Sequence, residues 1–372
     1  AHGGLLAHGL VKVAIDELLG PSPFEEERAQ LAAGHASGER AGDETLHGLA
    51  LGHEAFLATH VFKLVLLSER GSMGGQTLKN ETRPKNAMAL HDILRLLRPQ
   101  QWYKNLLVFL PLIFVDQLFS PDLFPSVLLA FLALCLVSSA GYTFNDIIDR
   151  QSDRKNPEKK HRPIASGAVH IFSAALLLIT LLAIGDALLW WLDWRAGAAA
   201  LGMFAITCCY SLFLKNEPVI DVLALGVNFV LRAAVGAFVI DVVISPWLIL
   251  CTFFLSLNLS VGKRLSEVHM LGARASEHRS SLTGYTDHTA LLLMGISSVM
   301  LLMSYALYSF LHGPQLIMVT LPFVVYAVMR HVTLAVAGAA SARHPHLLFL
   351  DARIMIASIL WGILVLAILY AA

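Results

Sequence analysis

The chain has 372 residues, 56% of them hydrophobic and only 15% charged, with 27 basic against 27 acidic side chains. A mean hydropathy of +0.64 excludes a disordered chain and an ordinary water-soluble domain, and points to a helical membrane protein. With a formal net charge of zero, the total charge offers no case for a nucleic-acid partner.

Residues 1–90 differ from the rest. They are rich in Ala, Gly, Glu and His, and no segment among them is long and apolar enough to span a bilayer. Amphipathic helices are predicted around Leu5–Leu19 and Thr45–Leu67. No basic stretch followed by an apolar run resembles a signal peptide. His47, His53 and His60 do not share one tight ligand face and read as surface or packing residues. Residues 1–72 are expected to be an upstream extension, to which the sequence assigns no function. Residues 73–104 form a polar and interfacial lead-in, and residues 105–372 one intramembrane domain.

Within the lead-in, residues 89–104 predict an amphipathic helix entering the membrane. Trp102 and Tyr103 suit the interfacial belt, with Arg98 and Lys104 at headgroup height. Apolar runs near 105–119, 124–145, 171–192, 196–214, 219–241, 246–262, 288–311, 314–335 and 350–370 then predict nine spans, an all-α polytopic fold. Pro111 breaks the first and Pro322 the eighth. Two polar loops, 146–170 and 263–287, follow the second and sixth spans, which hints at two four-helix halves plus one helix. Basic residues concentrate after even-numbered spans, from Arg150 through Arg162 and again at Lys263 and Arg264. The opposite loops offer only Arg195. The expected orientation puts the N-terminus and the large loops in the cytoplasm of a bacterial inner-membrane protein. Cys135, Cys208, Cys209 and Cys251 lie in apolar runs without metal-ligand spacing, so they read as small hydrophobes and imply no disulfide.

The chemistry is expected where the second span ends, at Asn145, Asp146, Asp149 and Asp153. On a helix Asn145, Asp149 and Asp153 fall on one face, with Asp146 beside them. Three carboxylates on one stripe repel, and a divalent cation removes that repulsion. Mg²⁺ takes oxygen ligands and is usually held by one or two carboxylates together with substrate phosphates. Lys159, Lys160 and Arg162 follow within a few residues, so acids for a metal adjoin bases for phosphate. That pairing suits a diphosphate substrate. In the fifth span Asp221, Asn228 and Arg232 return to nearly one face. Asp221 and Arg232 lie too far apart to pair directly, so each needs another partner. Tyr210 and Lys215 stand at the cytoplasmic edge before them. In the second large loop Lys263 and Glu267 are one turn apart and can pair, which leaves Arg264 free for a phosphate.

From about Leu94 onward the chain resembles the UbiA-type intramembrane prenyltransferase superfamily. The resemblance rests on Asn145, Asp146, Asp149 and Asp153, followed by Arg162-Pro163-Ile164-x-Ser166-Gly167. It implies nine helices and Mg²⁺ held at Asp146, Asp149 and Asp153. Ordinary members carry a second aspartate motif after the sixth helix, where this chain has Lys263, Arg264 and Glu267. That departure is similar to the decaprenyl-phosphate phosphoribosyltransferase branch. The same branch is matched by Arg98-Pro99-x-Gln101-Trp102-x-Lys104-Asn105, by Tyr210 with Lys215, and by Ser281-Leu282-x-x-Tyr285. The resemblance implies transfer of 5-phosphoribose from phosphoribosyl diphosphate (PRPP) to a polyprenyl phosphate, feeding arabinan precursors of a cell envelope. Arg98 and Lys104 become candidates for the lipid phosphate, and Lys159, Lys160, Arg162, Lys263 and Arg264 for the ribose 5-phosphate. An ordinary prenyltransferase using a prenyl diphosphate, and a membrane protein without catalysis, stay open as alternatives.

Overall fold

The computed structural model describes residues 90–156, 159–271, 285–311 and 314–371, and all regular structure in them is helical. The helices predicted near Leu5–Leu19 and Thr45–Leu67, and the boundary at residue 72, lie outside the described residues, as do Ser281 and Leu282. Eight helices among the described residues are long and apolar enough to cross a bilayer.

The helix expected over 89–104 is broken. Helix α1, Leu90–Leu97, stops before Pro99, where a 3₁₀ stretch, Pro99–Phe109, begins and runs into a five-residue helix α2, Leu110–Phe114. Proline lacks the amide hydrogen and its ring clashes with the preceding turn, so a continuous helix through Pro99 is disfavoured. The first predicted span, 105–119, is therefore not one long α-helix.

Long helices follow. They are α3, Leu123–Ile148, then two short ones, α4, Arg150–Lys155, and α5, Pro163–Ser166, then α6, Ile171–Leu192, and α7, Trp194–Leu212. After a 3₁₀ turn at Leu214–Asn216 come α8, Ile220–Val239, α9, Pro246–Leu271, and α10, Asp287–Leu311. The chain closes with α11, Leu321–Val336, α12, Ala340–Arg343, and α13, Ala352–Ala371. Asp193 alone joins α6 to α7. It leaves the helical region at φ −160° and its carboxylate accepts from the amides of Arg195 and Ala196, as an N-cap does.

Two apolar clusters hold the bundle. One joins α3, α6, α7 and α8 with the 3₁₀ stretch, through Val108, Leu134, Leu189, Met203 and Val235. The other joins α8 to α9, α10, α11 and α12, through Val222, Leu265, Met294, Ala335 and Ala342. Helix α8 belongs to both. Half of the apolar stretch of α3 and of α8 is buried, against 17% for α6 and α13, so α3 and α8 are the central staves. Gly236 in α8 is required by close approach: a Cβ there would stand 2.0 Å from the Val108 carbonyl oxygen. That contact lays the 3₁₀ backbone on α8, one turn from Arg232.

Helix α9 runs nine residues past the predicted end of its span at 262. Lys263, Arg264 and Glu267 therefore sit on a helix rather than in a loop. Leu265 and Val268, both buried in the second cluster, keep an apolar face three residues apart and carry the helix onward.

Candidate active site

The acidic stripe divides into two faces. At about 100° per residue, two four-residue steps drift by about 80°, which carries Asp153 beside Asp146 and away from Asn145. Helical hydrogen bonding continues through the junction of α3 and α4, with the Asp149 amide donating to the Asn145 carbonyl and the Asp153 amide to that of Asp149, at 2.9 and 2.8 Å. Asp146 and Asp153 are buried, and one nitrogen of Arg162 donates to both, at 2.9 and 2.8 Å. Asn145 and Asp149 turn instead toward the end of α7. Ser211 donates to Asn145 Oδ1 at 3.0 Å, and the Lys215 ammonium pairs with Asp149. Ser211 repeats the four-residue spacing to Lys215, a pairing that shows only once α3 and α7 are side by side.

Arg98 makes the other contact to Asp146, with its guanidinium 5.5 Å from the centre of the Tyr142 ring. Expected at headgroup height, it is drawn into the acid pole by its backbone. Its φ of 51° is uncommon for a non-glycine residue, and residues before proline ordinarily stay extended. Such strain persists where surrounding contacts hold it. Trp102 also points inward, its indole N–H shared between Ser139 Oγ and the Leu97 carbonyl. Lys159 and Lys160 are exposed on the loop after α4. Burial raises the Asp153 carboxyl above its usual value, opposed by the neighbouring charges of Arg162 and Lys159.

A second pole joins α8, α9 and the start of α10. Arg264, expected free for a phosphate, is 2% exposed and committed: it donates to Asp221 Oδ2 and to Glu267 Oε2, both at 2.9 Å. The Tyr285 hydroxyl donates to Asp221 Oδ1 at 2.7 Å and accepts from the Val219 amide at 2.9 Å. Val219 has φ 68°, a marked outlier for a β-branched residue, so the turn before α8 is held strained beside this brace. Lys263 pairs more loosely with Glu267, at 3.7 Å. Tyr210 lies near enough to act on the charge of Arg264. Sequence reading missed Val219 altogether, because strain at one backbone position leaves no compositional signal.

Between the poles lies a third group. Arg232, 6% exposed, donates to Asn105 Oδ1 at 2.9 Å and to the Asn228 carbonyl at 2.7 Å. Asn105 also accepts from Ser138. Asn228 gives its amide to Thr207, whose own hydroxyl is spent on the Met203 carbonyl, and Asn228 Oδ1 is left buried without a donor. Lys104 stands close by. Burial, then the charges of Arg232, Lys263 and Arg98, pull its ammonium down to about 7.

The acid pole fits a magnesium ion in its donor set. Two carboxylates converge on one guanidinium nitrogen, and two carboxylates completed by water and phosphate oxygens is what Mg²⁺ takes. Among the described residues no group of three or more His, Cys, Asp or Glu could hold a metal by itself. Asp149, turned to Lys215, stands apart from the other two.

The model of the UbiA prenyltransferase family matches residues 106–350. The chain belongs to the UbiA prenyltransferase family. It is a membrane-embedded transferase. Among curated UbiA relatives, the decaprenyl-phosphate phosphoribosyltransferase of Corynebacterium glutamicum is 32% identical over 249 residues, covering 66% of this chain and 74% of that protein. Its counterpart in Mycolicibacterium smegmatis is 31% identical over 231 residues, covering 61% and 72%. A solved UbiA homolog from Archaeoglobus fulgidus, bound to DMAPP and Mg²⁺, is 20% identical with a TM-score of 0.58, over 76% of this chain and all of that one. At that identity it shows the UbiA fold alone.

Proposed function

We propose that the protein transfers 5-phosphoribose from PRPP to a polyprenyl phosphate of the decaprenyl type, releasing diphosphate. The observation that carries this is the second pole. A site using a second Mg²⁺ there would need its acids available, yet Asp221 and Glu267 are both engaged by the buried Arg264, and Glu267 by Lys263 as well. That leaves one acid pole and the cations Lys104 and Arg232, which meet no carboxylate among the described residues, a balance suited to substrates with several phosphate groups. The decaprenyl-phosphate phosphoribosyltransferases to which the chain is 31–32% identical point the same way.

Asp146 and Asp153 would hold Mg²⁺, which when bound neutralises charge on the leaving diphosphate. Arg98 and Arg162, already hydrogen-bonded to those carboxylates, are placed to donate to diphosphate oxygens. Asn145 and Asp149 are fixed by Ser211 and Lys215, which sets the register of α3 against α7. An oxygen of the lipid phosphate forms a bond to ribose C1 as the bond from C1 to the diphosphate oxygen breaks, the electron pair leaving with diphosphate. The acceptor phosphate is already anionic near neutral pH, so no strong general base is required, and positioning with charge stabilisation carries the rate. The concentration of basic residues in the loops that carry this site supports a cytoplasmic orientation in a bacterial inner membrane. Purified protein with Mg²⁺, labelled PRPP and a short polyprenyl phosphate tests the reading: a labelled lipid supports it. Consumption of a prenyl diphosphate with PRPP untouched replaces it with ordinary prenyl transfer.

A further inference from the structure

Three ion-paired groups account for the acids facing the site: Asp146 and Asp153 with Arg98 and Arg162, Asp149 with Lys215, and Asp221 and Glu267 with Arg264. Lys104 and Arg232 stand outside all three. Among the described residues neither meets a carboxylate, and Arg232 is satisfied only by neutral oxygens of Asn105 and Asn228. A buried guanidinium without a counter-ion is costly, and here a second cation adds repulsion to it. Beside them Asn228 Oδ1 is a buried acceptor with no donor.

We propose that Lys104 and Arg232, with Asn105 and Asn228, form a phosphate-monoester subsite separate from the acid pole. A monoester brings two negative charges to two unpaired cations. Two sources share that chemistry, the 5-phosphate of the donor and the phosphate of the acceptor lipid. A sugar phosphate carries hydroxyl donors as well, which the orphaned Asn228 Oδ1 can accept, whereas a fully ionised lipid phosphate carries only acceptors. The subsite accounts for the cation cluster electrostatically: burial, and then repulsion from Arg232 and its neighbours, work against the Lys104 ammonium, and an arriving dianion offsets them. It deepens the phosphoribosyl reading by giving the substrates' monoester a place distinct from the diphosphate, and it rests on that reading only for the name of the sugar.

Binding to the purified full-length protein in detergent separates the two. The probes are ribose 5-phosphate, a short polyprenyl phosphate, and inorganic diphosphate with Mg²⁺. Arg232→Met and Lys104→Gln are expected to weaken one monoester by about ten- to a hundred-fold, the loss of a charged hydrogen bond, and to leave diphosphate binding unchanged. Arg232→Lys retains part of the affinity. Asp146→Asn gives the reverse pattern, losing diphosphate and keeping the monoester. Whichever monoester responds identifies the source. If Arg232→Met does not fold, Lys104→Gln and Arg232→Lys carry the same test. Monoester binding unchanged in folded variants, as judged by retained diphosphate binding, overturns the proposal and leaves Arg232 a structural brace. Because no turnover is read, loss of monoester binding in the variants sustains the subsite even if the wild type fails to transfer phosphoribose from PRPP.

Discussion

Arg264 is where the structure most changes what a substitution should do. Read from sequence it was free for the donor, and its removal would cost donor affinity. In the fold it is 2% exposed between Asp221, which is fully buried, and Glu267. Arg264→Ala deletes two charged hydrogen bonds and takes from the buried Asp221 carboxylate its arginine counter-ion, while the Tyr285 hydroxyl still donates to it. Stripping one partner from a buried ion pair costs about 3–5 kcal/mol, a large share of a typical stability of about 5–15 kcal/mol. Arg264→Ala should therefore unfold at a clearly lower temperature in detergent. The double variant Asp221→Asn with Arg264→Gln, which removes both charges, should recover much of that loss. The assay is a thermal melt followed by size-exclusion fluorescence, run beside PRPP binding on the surviving fold. An Arg264→Ala protein with an unchanged melt and a donor affinity lowered by about ten- to a hundred-fold would refute the brace and restore the direct phosphate contact.

The remaining expectations follow from the other groups. Asp146→Asn should abolish turnover without unfolding the protein, because it removes the carboxylate that Arg98 and Arg162 share; Asp149→Asn, which loosens only the Lys215 contact, should retain measurable turnover, and the comparison is read from initial rates at ordinary Mg²⁺. Lys104, lowered to about 7 by burial and by Arg232, Lys263 and Arg98, is charged below that pH and neutral above it. Monoester binding should therefore weaken as pH rises past about 7, where the ligand's own ionisation near pH 6 is already complete. Lys104→Arg should flatten that dependence, as read by titration from pH 6 to 9.

Periodicity and loop composition made the all-helical bundle legible, because a bilayer admits few alternatives to apolar helices. They also marked the acid motif and its basic neighbours. The first predicted span was not legible as it stands: residues 105–119 are apolar enough, but Pro99 and Pro111 divert the backbone into 3₁₀ geometry and a five-residue helix. The partners of Asp221 and Arg232 could not be read either. Their separation along α8 excluded a direct pair, yet only packing shows that Asp221 meets Arg264 and Tyr285, while Arg232 meets Asn105. Asn105 was visible as part of a motif, with no sign that it accepts from an arginine 127 residues later. Arg264 was misread because the end of α9 was placed nine residues early, which turned a buried helical face into an apparent loop.

The central claim is the donor. Purified protein in detergent, given Mg²⁺, a short polyprenyl phosphate and equimolar labelled PRPP and geranylgeranyl diphosphate, provides the direct measurement. The account predicts that label from PRPP appears in the lipid, with stoichiometric release of diphosphate, while geranylgeranyl diphosphate is left intact. Consumption of geranylgeranyl diphosphate, with PRPP neither consumed nor inhibitory, would contradict it.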